Sequence, residues 1–169
     1  MRAKLEKYLF EEAGARAFAV LDGASIDDLP ARLYEMQPRA VCLYRGEIEP
    51  DIAEVAPYLV ELFAGDAFTE WLLDENAGGR HFGIFARSPH SLTEMRKHFR
   101  KFLTVYDEAG NPLLFRYYDP RVLRKFLPTC GAADLGRMFA GVQSFLAEKT
   151  AVDYTRFEMR DDRLAATDI

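Results

Sequence analysis

The apolar and polar positions of the chain divide it into short segments that alternate between helical and extended periodicity. Arg2 to Ala13 carries charge and hydrophobe at helical spacing, with Leu5 and Leu9 four residues apart. It leads into Ala17–Leu21 (AFAVL), a fully apolar run closed by Asp22-Gly23, which reads as a central strand ending in a glycine turn. Asp27 is expected to cap a helix through about Glu35, which Pro38 stops, and Ala40–Tyr44 (AVCLY) reads as a second buried strand. Ala56–Phe63 (APYLVELF) is read as extended, although periodicity alone leaves helix open. Asp66 caps a helix carrying Phe68, Trp71 and Leu72, and Gly78-Gly79 ends it.

In Arg80–Ala86 (RHFGIFA), Phe82, Ile84 and Ala86 alternate with His81, Gly83 and Phe85, so the two sets face opposite sides of a strand that Ser88-Pro89 breaks. From Leu92 to Tyr106 the positions Leu92, Met95, Phe99, Phe102, Leu103 and Tyr106 recur mostly at steps of three and four, which predicts one amphipathic helix. A turn at Asp107–Pro112 returns the chain to a strand at Leu113–Tyr117. Asp119-Pro120 then opens a helix with Val122, Leu123, Phe126 and Leu127 on its buried stripe. Asp134 to about Ala140 reads as helix, and Val142–Leu164 as two strands or irregular structure. The order of elements predicts an α/β fold: a mixed β-sheet flanked by amphipathic helices, in a single domain over residues 1–169.

At 169 residues the chain is long enough to bury a core without disulfide or metal staples. Cys42 and Cys130 stand far apart with no CxxC pair and suit reduced thiols. The opening residues Met1–Phe10 lack the apolar core of a signal peptide, and apolar runs such as Ala17–Leu21 are five residues long, far short of a membrane span. A cytoplasmic protein with no membrane association is expected. The net charge of −5 is unevenly placed. Residues 1–86 hold 8 basic and 16 acidic side chains, residues 87–125 hold 9 and 4, and residues 126–169 hold 5 and 7. In the basic middle, Arg96, Lys97, Arg100 and Lys101 on one predicted helix and Arg121, Arg124 and Lys125 on the next fall opposite the apolar stripes. These are either ordinary solvated faces or a docking face for an acidic partner. Nucleic acid fits poorly, because the overall balance is acidic and no aromatic RNA-binding motif is present.

No catalytic constellation stands out. His81, His90 and His98 lack metal-ligand spacing, and there is no GxSxG elbow, phosphate loop or GxGxxG, so no cofactor, metal or enzyme activity is expected. An enzymatic site would have to be assembled across the sheet from distant residues such as His81, Tyr118 and Asp119. The densest polar cluster is Arg116–Arg121 (RYYDPR). Asp119-Pro120 is accounted for as N-cap and first helical residue. Arg116, at an apolar strand end, would need a carboxylate or carbonyl partner if buried; pairing with Asp119 or another acid would make a structural clasp, to which Tyr118 could add its hydroxyl.

Five stretches carry a resemblance. The strand from Phe82, the helix beginning LTEMRKHFRKFL and above all Arg116–Leu123 (RYYDPRVL) resemble the effector-adaptor family of type VI secretion systems, long filed as a domain of unknown function. Ala17–Gly23 (AFAVLDG) and Ala56–Leu62 (APYLVEL) look like its opening segments. The likeness spans about residues 17–140, leaving 141–169 as a C-terminal extension; the resemblance implies a longer C-terminal lobe in many relatives. It implies a non-enzymatic cytoplasmic chaperone that binds a secreted toxic effector protein and loads it onto the spike protein of the secretion machine. Its motif positions here are Arg116, Tyr118, Asp119 and Pro120, in a structural or a partner-binding role. A small immunity or regulatory protein is the alternative reading of such an acidic chain.

Overall fold

The computed structural model describes residues 2–10, 14–76 and 81–169. Its frame is a seven-stranded sheet in the order β2 (Arg39–Cys42), β3 (Pro57–Leu62), β1 (Arg16–Asp22), β4 (Gly83–Ser88), β7 (Ser144–Glu148), β8 (Tyr154–Arg160), β9 (Arg163–Asp168). The α/β class and the flanking helices are as expected. Every strand pairing, however, is antiparallel rather than mixed in direction.

β1 lies centrally because its AFAVL run is apolar on both faces. Phe18 and Val20 point into one core with Leu59, Ile84, Ala86 and Phe145, covered by α5 (Leu92–Arg100), α6 (Pro120–Phe126) and α7 (Ala132–Met138). Ala19 and Leu21 point into the other with Val60, Phe85 and Leu146, covered by α1 (Arg2–Phe10), α2 (Leu29–Met36) and α4 (Ala67–Trp71). The short α3 (Pro50–Val55) precedes β3. Gly83 is required where β4 meets β1, since a Cβ there would stand 2.3 Å from the Val20 carbonyl oxygen.

Several boundaries differ from the sequence reading. The helix from Leu92 ends at Arg100, and Thr104–Tyr106 form β5, paired with β6 (Pro112–Leu114) in a separate two-stranded hairpin. Phe99, Phe102, Leu103 and Tyr106 fit helical spacing, but Thr104-Val105-Tyr106 is a β-branched and aromatic run. The turn beyond it is locked by Asp107, whose carboxylate accepts from the Asn111 amide at 2.8 Å and from its side chain at 3.0 Å. The expected strand Leu113–Tyr117 is therefore only the short β6.

Asp27 is not a cap. Asp28 takes that position in a left-handed conformation without a side-chain hydrogen bond, as fully buried Leu29 is seated in the core. Phe82 joins Phe85 in its core rather than Ile84 and Ala86, because the strand begins at Gly83 and His81 before it has a positive φ of 51°. The tail is three sheet strands, β7 to β9, with β7 pairing β4. The expected Gly78-Gly79 stop lies outside the described residues.

Candidate functional site

The RYYDPR segment enters the fold between β6 and α6 at one end of the sheet. Asp119 is the N-cap, as its sequence context requires: its carboxylate accepts from the Arg121 amide at 2.8 Å and from the Arg121 guanidinium at 2.6 to 3.2 Å. Burial pushes the Asp119 carboxyl up, but the bonds from Arg121 outweigh it and hold the group below the usual carboxylate range. Arg116 does not pair with Asp119. It donates to Asp22, the buried last residue of β1, which also accepts from the Ala24 amide at 3.2 Å and the Ser25 hydroxyl at 3.0 Å. One ion pair thus ties the entry to α6 to a central strand 94 residues earlier.

The two tyrosines extend the same junction. Tyr117 is fully buried, donates to the Phe99 carbonyl at 3.0 Å and stacks on the Phe99 ring. Tyr118 shares a hydrogen bond with Tyr44 just beyond β2, and burial raises its hydroxyl well above the ordinary tyrosine range. At the neighbouring strand ends His81 Nδ1 lies 3.4 Å from Glu148 Oε1, and the His81 amide donates to Glu148 Oε2 at 3.1 Å. The outcome is a seam of buried acids, Asp22, Asp119 and Glu148, each facing a cationic or titratable partner.

His81, Tyr118 and Asp119, the residues an enzymatic site would have used, engage Glu148, Tyr44 and Arg121 respectively. Among the described residues no cluster of three metal-binding side chains forms. Cys42 and Cys130 are both free thiols.

The seven basic residues expected to share an outer face are split. Arg121 belongs to the Asp119 pair. Arg100 turns inward and donates to the Leu43 and Tyr44 carbonyls at 2.8 and 2.5 Å and to that of Cys42 at 3.4 Å, holding the end of β2. Arg96 and Arg124 are half-buried, while Lys97, Lys101 and Lys125 are exposed. Arg45, which the sequence reading missed because it lies alone outside the basic segment, joins Arg100 and Lys101 along a groove of about 520 Å³ beside Tyr44, Tyr106 and Leu114. On the opposite side of the hairpin a second groove, of about 470 Å³, is lined by Phe102, Val105, Phe115, Phe126 and Met138. Sequence reasoning also missed Glu148 and Tyr44, and took Asp22 only as part of a turn. An acid at the end of an apolar strand was the available signal for Asp22.

Residues 17–137 match the sequence profile of the family described as a domain of unknown function (DUF4123). The chain belongs to that family. The DUF4123 match takes in the whole RYYDPR junction and its Asp22 partner, and stops before β7 to β9, although β7 is hydrogen-bonded directly to β4. No curated protein and no solved structure matches the chain.

Proposed function

We propose that this DUF4123 protein is a non-enzymatic cytoplasmic adaptor that binds a secreted toxic effector and loads it onto the spike protein of a type VI secretion system. The observation that carries the reading is the RYYDPRVL stretch, through which the chain resembles the effector adaptors, seated within a family match over residues 17–137. Two structural features support it. The candidate acid, base and hydroxyl groups at the junction have separate structural partners, which suits fold maintenance. The β5–β6 hairpin exposes Tyr106 and Leu114 on one face and Val105 and Leu113 on the other, and large apolar side chains left open on both faces suit contact with a protein partner. No helix among the described residues is long and apolar enough to cross a membrane.

The test is co-expression with an effector and a spike protein of a type VI system from the same host, followed by size-exclusion chromatography. The reading expects the three proteins to elute as one complex that depends on this chain. Elution of this chain apart from both partners overturns it, and a complex with the toxin that neutralises it without the spike assigns the immunity role instead.

A further inference from the structure

We propose that the basic groove beneath the β5–β6 hairpin receives an acidic segment of a partner protein, whose apolar side chains anchor against Tyr44, Tyr106 and Leu114. This deepens the adaptor reading and rests on it for the partner being a protein.

Charge complementarity points to the occupant. Arg45, Arg100 and Lys101 line the groove and no acidic residue does, in a chain whose net charge is −5. Arg45, Arg96 and Lys101 make no ion pair among the described residues. Burial, helped by repulsion from Arg96 and Arg45, lowers the proton affinity of Arg100. The cations are thus crowded without an internal counter-charge, and an anionic ligand relieves that crowding.

The apolar component comes from the hairpin. Strand pairing sets Thr104 opposite Leu114 and Tyr106 opposite Pro112, so these residues share the face that looks onto the basic groove. Tyr106 is 70% exposed and Leu114 57%. A two-stranded hairpin is marginal by itself, and these side chains gain burial only when a partner covers them. The volume of about 520 Å³ and the concave shape suit a few side chains of a peptide rather than a flat lipid surface.

The test uses the full chain and fluorescence anisotropy with a labelled peptide of about 15 residues, leucine and phenylalanine at every third or fourth position and glutamate between them. Two control peptides replace glutamate by lysine, or the apolar residues by serine. The acidic apolar peptide is expected to bind at least about tenfold tighter than either control, and more weakly as salt rises. Two independent surface variants, Arg45→Glu/Lys101→Glu and Tyr106→Ser/Leu114→Ser, are each expected to weaken it about tenfold with unchanged circular dichroism. Equal binding of the lysine peptide, or wild-type affinity in both variants, overturns the proposal. So does tighter, variant-sensitive binding to phosphatidylglycerol vesicles, which assigns the groove to anionic lipid. An effector–spike complex that survives both variants overturns the groove and leaves the adaptor reading standing. Groove-dependent peptide binding without any such complex supports the groove and overturns the adaptor.

Discussion

Residues 104–114 and 116–121 are neighbours in sequence with opposite physics. In the second, Asp119 is paired with Arg121, Arg116 with buried Asp22, Tyr117 with the Phe99 carbonyl and Tyr118 with Tyr44. In the first, large apolar side chains face outward beside cations that lack a counter-charge. A segment whose polar groups are satisfied internally holds the fold together, whereas one that leaves apolar surface uncovered beside cations of neighbouring elements is suited to meet another molecule. The sequence motif and the proposed docking surface are therefore different places, separated in sequence by Phe115 alone.

Arg116→Ala should have the largest effect on stability, about 2–3 kcal/mol in denaturant melts, because it leaves the Asp22 carboxylate buried with only the Ala24 amide and the Ser25 hydroxyl. A loss below that of the cap variant would move Arg116 from the structural to the docking side of the comparison. Asp119→Ala should cost about 0.5–2 kcal/mol through the lost cap.

The same carboxylate sets a pH dependence. Its folded pKa is depressed, so its contribution is present above the unfolded carboxylate range, near ~4, and is lost as pH falls through the lower folded value. Melts of Asp119→Asn and wild type should converge on acidification, and a constant gap down to the lowest pH would contradict the pairing with Arg121. Smallest of all, Tyr106→Ser/Leu114→Ser should shift stability by no more than about 0.5 kcal/mol per site, as the side chains are exposed. A larger loss would place the hairpin with the structural seam.

The parts of the fold readable from sequence were those governed by local rules. Asp119-Pro120 and Asp66 are caps by residue type, and AFAVL is central because it is apolar throughout. An acid for Arg116 was one reading open from its apolar setting, conditional on burial; the side chain is in fact exposed, and its pairing with an acid 94 residues away is decided by how β1 and α6 meet. The break of the Leu92–Tyr106 stripe at Arg100 was hidden because one set of spacings fits both a helix and a helix followed by a turn and a strand. The basic face likewise looked uniform from helical positions alone. Arg100's inward reach to the carbonyls of residues 42–44, and Arg45's arrival beside it, depend on β2 lying against α5.

The most direct measurement of this division is complex formation with effector and spike, monitored by size-exclusion chromatography alongside thermal melts, for Arg45→Glu/Lys101→Glu and for Arg116→Ala at a temperature where the latter remains folded. The account predicts that the charge reversal loses the complex with an unchanged melt, while folded Arg116→Ala keeps the complex with a lowered melt. The reverse pattern, with the complex intact after charge reversal and lost in folded Arg116→Ala, would contradict it.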